Sequence, residues 1–258
     1  MPAWIGTSGW HYPHWRGGLY PAKLPSGAWL GCYGERFATT EINNAFYRLP
    51  ERSTFETWAA AVPDDFVFAV KASRYLTHVR RLREPSEPVS RLLERTAGLG
   101  DKLGPILLQL PPNLPIDLDA LGAVLRSFPA GSKVAVEFRH VSWFVPATRA
   151  LLEAHGSACC LTDTGGRKSE PWRTADWGYL RLHGGRGSPP TCYGRSALRS
   201  WAEQLAGLWP ETSPVFVYFN NDGHGCAVRD AHRFALASGR TRLAPTRVAA
   251  ARECTLTA

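Results

Sequence analysis

Eight short apolar runs recur along the 258-residue chain: Trp4–Thr7, Thr40–Asn43, Val67–Lys71, Ile106–Gln109, Val134–Glu137, Ala158–Leu161, Tyr179–His183 and Val215–Asn220. Between most of them lie stretches with apolar residues at helical spacing. A Ser53-Thr54-Phe55-Glu56 capping box is expected to open a helix toward Val62, and further helices are expected over 88–99, 117–128, 146–155, 198–208 and 227–237. The segment after Leu161 carries Gly165, Gly166 and Pro171, so its helix is expected to be short or missing. Strands that alternate with helices pair in parallel through right-handed crossovers. Eight such units in about 250 residues fit one α/β domain, a single closed (β/α)8 barrel of the TIM type. The competing fold is an open doubly wound sheet, but no Gly-x-Gly-x-x-Gly follows the first run. The barrel is assigned to residues 1–238. Residues 239–258, rich in Arg, Ala and Thr, are expected to be a loosely held C-terminal tail.

The seventh run, Tyr179-Leu180-Arg181-Leu182-His183, sets the phase of the side chains. Successive residues of a strand point to opposite faces. In a parallel barrel the face toward the helices must be apolar, so Leu180 and Leu182 are expected outside, with Arg181 and His183 inside near the C-terminal mouth. The same phase puts Val134, Val136 and Phe138 outside with Glu137 and Arg139 inside. It puts Phe66, Phe68 and Val70 outside with Lys71 inside, and Ile42 outside with Glu41 and Asn43 inside. Gln109 ends the fourth run, Asp163 follows the sixth, and Asn220, Asn221 and Asp222 follow the eighth. Each buried polar group left unsatisfied costs about 1–3 kcal/mol. Convergence on one mouth is therefore the economical account. The plainer reading is a satisfied ion-pair network that only plugs the top of the barrel.

Seven segments also match a known pattern in order: GTSGW (6–10), EINNAFYRLP (41–50), FAVKASRYLTH (68–78), LGPILLQLPP (103–112), VEFRHVSW (136–143), YLRLHG (179–184) and YFNNDGHGCA (218–227). Together they resemble the YecE-like family, long labelled domain of unknown function 72. The resemblance covers almost the whole chain and implies a TIM-barrel fold; it implies no settled activity. Asn44-Ala45 departs from the small hydroxyl residues that the family more often has before Phe-Tyr.

Read one by one, Glu41, Glu137, Asp163 and His183 are the candidate acid–base groups. The candidates for holding a substrate are Ser8, Trp10, Tyr12, Asn43, Tyr47, Lys71, His78, Gln109, Arg139, Arg181, Asn220, Asn221 and Asp222. Lys71, Arg139 and Arg181 bring positive charge. The Gly-rich stretches 184–187 and 220–225 follow the seventh and eighth strands, where such barrels hold phosphate. The expected ligand is thus a small polar anion bearing phosphate or carboxylate, and the favoured chemistry is that of a hydrolase, lyase or isomerase. Trp10, Tyr12 and Trp15, with His11 and His14, are expected to form an aromatic wall or lid, or else a plain hydrophobic cluster. Two other classes stay open: a nucleic-acid-binding or metal-dependent DNA-repair-type hydrolase, and a non-catalytic binding barrel.

Composition narrows these alternatives. The net charge of +8 suits a phosphate backbone, but only five of the 30 basic residues are Lys and the arginines are scattered, so nucleic acid is not favoured. No cofactor is expected. The His, Asp and Glu inventory leaves room for a divalent metal, but no H-x-H or H-E-x-x-H spacing points to one. No apolar stretch is long enough to span a bilayer, and MPAWIGTSGW lacks the charge and apolar pattern of an export signal. A cytoplasmic protein with no membrane partner is expected. The six cysteines, Cys32, Cys159, Cys160, Cys192, Cys226 and Cys254, include no C-x-x-C pair and are expected to be reduced thiols with no disulfide. The oligomeric state is left open.

Overall fold

Eight parallel strands close on themselves in a computed structural model, which describes residues 1–254. They are β1 (Pro2–Ser8), β2 (Thr39–Ile42), β3 (Val67–Lys71), β4 (Leu103–Gln109), β5 (Val134–Glu137), β6 (Ala158–Thr164), β7 (Gly178–Gly184) and β8 (Val215–Phe219). Each pairs with its successor, and β8 closes on β1 through a register running from Ala3 opposite Val215 to Thr7 opposite Phe219. Closure leaves no edge strand in the barrel. Around it lie α1 (Trp29–Gly34), α2 (Asn44–Tyr47), α3 (Arg52–Ala60), α4 (Ser86–Thr96), α5 (Leu118–Arg126), α6 (Pro146–Ala154), α7 (Arg195–Leu208) and α8 (Cys226–Ser238). No helix follows β6. The chain there makes a short antiparallel excursion, Arg167–Lys168, back along Asp163 and Thr164, turning at Gly165 and Gly166 with positive φ. Among the described residues, no helix is long and apolar enough to cross a membrane.

The strand phase follows the alternation. Ile42, Phe68, Val70, Val134, Val136, Leu180 and Leu182 pack into the layer between sheet and helices. Ala69, Leu107, Ala135, Ala158, Cys160, Tyr179, Phe216 and Tyr218 form a separate inner core. Small residues on β3, β5 and β6 leave room for the large rings of β7 and β8, which reach across the barrel. The Tyr218 hydroxyl meets Thr39 Oγ1 at 2.7 Å. Gly6 is required where β1 crosses β2, since a Cβ there would lie 2.1 Å from the Thr39 carbonyl oxygen.

Three expectations fail. The Ser53 capping box does not form: α3 starts at Arg52 after Glu51, with no side-chain cap. The tail is not loosely held over its described part, 239–254. Ala244 and Pro245 pair with β1, Arg247 binds Asp65 and the Gly34 carbonyl, and Ala249 is buried; residues 255–258 lie outside the described residues. Finally, Cys192 and Cys226 form a disulfide with their Cα atoms 5.0 Å apart. Cysteine spacing does not reveal it because the two residues are 34 apart, on the loop after β7 and at the start of α8. In the chain-entropy account a closed loop of this size stabilises by about 3–4 kcal/mol. Thiol titration of the unfolded, unreduced chain should therefore count four free sulfhydryls, those of Cys32, Cys159, Cys160 and Cys254. A count of six would show the bond absent.

Candidate functional site

The mouth of the barrel is floored by a buried ion triad. Arg181, from β7, is 1% exposed and lies between two carboxylates that are 0% exposed. Its Nη1 donates to Glu137 Oε2 at 2.6 Å and its Nη2 to Glu41 Oε1 at 2.8 Å. Ser8 Oγ and the Tyr179 hydroxyl each donate to Glu41 at 2.6 Å, on Oε1 and Oε2 respectively. Arg139 Nη2 closes on Glu137 Oε1. Burial alone would raise both carboxyls, but the Arg181 charge and these donors hold Glu41 below the usual carboxylate value and Glu137 well below it. Both are therefore fixed anions, and every Glu41 oxygen is already engaged. Neither has the freedom of an acid–base catalyst.

Above the floor lies a more open tier. Lys71 is 9% exposed, yet among the described residues no carboxylate pairs with it. Its Nζ donates to Gln109 Oε1 at 2.7 Å and sits 3.9 Å above the Phe46 ring. Burial, then the Arg181 charge, lowers its pKa to about 8. Phe46, from α2, also meets His78 edge-on at 5.0 Å, and His78 is pushed below its ordinary value by burial and by Lys71. On the opposite side Arg139 Nη2 lies 2.9 Å from His183 Nε2. Asn220 Nδ2 lies 3.1 Å from His183 Nδ1, and Nε2 also lies 3.4 Å from Glu137 Oε1. Burial keeps His183 below the ordinary histidine value in spite of Glu137. Both nitrogens of this imidazole are engaged.

The rim is closed by the loop after β1. Tyr12 donates to the Ser8 carbonyl at 2.7 Å, while His14 Nε2 and Trp15 Nε1 meet Asp222 Oδ2 at 2.7 and 2.9 Å. Burial pushes Asp222 up to about 6 against the pull of His14. Burial, then Asp222, pushes Tyr12 up to about 12. Asn43 and Tyr47 flank the Phe46 turn; the Asn43 Oδ1 is buried without a partner, and Tyr47 is 75% exposed.

Some sequence candidates lie elsewhere. Asp163 faces the helix layer: Trp201 Nε1, on α7, donates to its Oδ2 at 2.9 Å and Gly166 N to its Oδ1 at 2.9 Å. It anchors a turn and is not at the mouth. Asn221 spends its Nδ2 on Thr191 O and Asp230 Oδ2. Trp10 packs edge-on against Trp58 at 5.2 Å in the outer core, so it is no lid. The stretch 184–187 does not offer its amides as expected, because Gly185 N and Gly187 N already donate to Thr191 O and Cys192 O at 2.8 and 2.7 Å. A Cβ at Gly185 would lie 2.5 Å from the Cys192 oxygen, so this glycine serves close backbone packing. Conversely, Tyr179 and Phe46 belong to the site although they are not sequence candidates; their place within YLRLHG and EINNAFYRLP is the only local signal for them. Among the described residues, no group of three or more His, Cys, Asp or Glu side chains is placed to hold a metal ion.

Residues 4–252 match the family described as "Protein of unknown function DUF72". The UPF0759 protein YecE of Escherichia coli (strain K12) is 32% identical over 143 residues, which cover 55% of this chain and 50% of that protein, so the match spans about half the length of this curated relative. The UPF0759 protein YunF of Bacillus subtilis (strain 168) is 27% identical over 258 residues, covering 87% of this chain and 90% of YunF. Among solved structures, a DUF72 family protein from Thermotoga maritima superposes with a TM-score of 0.78 at 26% identity, covering 92% of this chain and 98% of that one. A DUF72 family protein from Enterococcus faecalis shares the fold at 18% identity with a TM-score of 0.76, over 92% of this chain and 95% of that one.

Proposed function

Since the chain belongs to the DUF72 family, whose activity is undefined, we propose its function from its own residues: an enzyme that binds a small anion at the barrel mouth and moves a proton on it with Lys71. One observation carries this reading. Lys71 is a nearly buried ammonium held by a carbonyl oxygen and an aromatic face, with no carboxylate partner among the described residues. The scaffold neutralises Arg181 twice over and leaves Lys71 unpaired. Two carboxylates, Glu41 and Glu137, face three cations, Lys71, Arg139 and Arg181, so the tier carries one excess positive charge. A ligand phosphate or carboxylate supplies the missing partner.

The protonation states narrow the chemistry. Hydrolysis by a carboxylate pair is disfavoured, because both carboxylates are bound to Arg181 as anions. Lys71, with its pKa near 8, passes between ammonium and amine close to neutrality, as a proton-transfer catalyst must. Arg139, partly exposed and positioned by His183, orients the anion; Gln109 and Asn220 supply neutral polar contacts. A lyase or isomerase step beside an anionic group fits these roles.

The test is a thermal melt of parent and Lys71→Met with and without phosphate or malonate. The parent should gain more melting temperature with the anion than the variant does. The gain should also fade as pH rises through about 8, where Lys71 loses its charge. An anion effect undiminished in Lys71→Met would sink the assignment.

A further inference from the structure

A second cationic concavity lies on the outside of the barrel, between α7 and α8, in a cavity of about 820 Å³. It is lined by Arg195 and Arg199 of α7, by Arg229, His232 and Arg233 of α8, and by Arg240 just past the end of α8. Arg229 is held by Asp230 at 2.8 Å, and Arg199 approaches Glu203 at 3.9 Å. Arg195, Arg233 and Arg240 pair with no carboxylate among the described residues. Like charges one turn apart on a helix repel, and Arg195/Arg199 and Arg229/Arg233 both have that spacing. α7 also starts at Arg195 with no acidic residue in its first turn and no side-chain cap, so a cation sits at the positive end of the helix dipole. Arg229 also holds the Ser188 and Tyr193 carbonyls, but Arg195, Arg233 and Arg240 gain no carboxylate partner among the described residues, and an anion relieves their repulsion.

We propose that this groove is a second binding site, for a compact ligand carrying two or more phosphate groups. The arginines along α8 run over about 16 Å from Arg229 to Arg240, at 1.5 Å per residue, which is too long for one phosphate. Guanidinium forks match phosphate oxygens in pairs. The volume lies within the range of about 300–1,000 Å³ seen for small-molecule sites. One feature argues against a nucleic acid strand. Among the described residues, the lining holds no aromatic side chain of Phe, Tyr or Trp on which a base would stack. Ala251 and Cys254 of the C-terminal segment also line the groove. The site is independent of the barrel mouth and shares no residue with it.

The test is a calorimetric titration of the full chain with tripolyphosphate at physiological salt. The parent should bind it saturably at the groove in addition to any filling of the barrel mouth. Arg195→Gln with Arg240→Gln, both exposed and outside any ion pair among the described residues, should fold as the parent does and bind about tenfold more weakly or worse. Lys71→Met should keep the groove's affinity, which separates this site from the mouth. Unchanged affinity in the double variant, equal loss in Lys71→Met, or no saturable binding would each overturn the proposal. A short single-stranded oligonucleotide that binds more tightly than tripolyphosphate, and depends on the same two arginines, would replace the compact ligand by a nucleic acid.

Discussion

Arg181→Met is expected to destabilise the fold by about 3–5 kcal/mol, the usual cost of removing one partner from a buried ion pair. The reason is what the variant leaves behind. Glu41 and Glu137 are fully buried and approach the same guanidinium from two strands, at 2.8 and 2.6 Å. Methionine restores the volume but not the charge, so two carboxylates must stay ionised without their partner or take up protons. Both carboxyls are held below their ordinary value in the fold. The stability they contribute is present above the unfolded carboxyl pKa of about 4.3 and is lost as pH falls through the folded values. Parent unfolding free energy should thus decline steeply below that value. Arg181→Met should be weak already at pH 7 and lose less on acidification. Urea melts across pH check both, and a variant as stable as the parent at pH 7 would show that the triad does not support the barrel.

Lys71→Met is expected to do the reverse and stabilise the protein by about 1–3 kcal/mol at pH 7 while removing anion binding at the barrel mouth. Burial dominates the lowering of this lysine from 10.5 to about 8. A lysine whose folded pKa is depressed is a cationic liability. Its cost is fully present below about 8 and is relieved as pH rises toward 10.5. Every tenfold loss of proton affinity on folding corresponds to about 1.4 kcal/mol. Loss of the contacts with Gln109 and Phe46 offsets part of the gain. A lysine that weakens the fold at its mouth would fit the proposed binding role better than a scaffolding one. Denaturant melts and anion titration of the same variant check both halves. Destabilisation by Lys71→Met would mark the lysine as structural.

These opposite signs show how far sequence reasoning reaches. The barrel and the strand phase are legible because parity is strict: Leu180 and Leu182 need an apolar layer, so Arg181 and His183 turn inward. Parity does not say whether an inward charge is free or already paired, since that depends on three strands far apart in the chain. Arg181 therefore reads as a ligand group and is instead bound to two carboxylates. Asp163 misleads for a simpler reason. It shares its face with Cys159 and Leu161, both in the outer layer, so the alternation itself points it at the helices. The Cys192–Cys226 bond and the Phe46–Lys71 contact join loops and strands that no local pattern relates.

The function assigned to the barrel mouth rests on Lys71 being an unpaired, partly desolvated ammonium that awaits an anion. With only five lysines in the chain, the side chains are few enough to follow individually by NMR of lysine-labelled protein, using Lys71→Met for assignment. Lys71 should titrate near 8 in the free protein and move upward when phosphate or malonate is added. A Lys71 that titrates near 10.5 and ignores both anions would contradict that assignment.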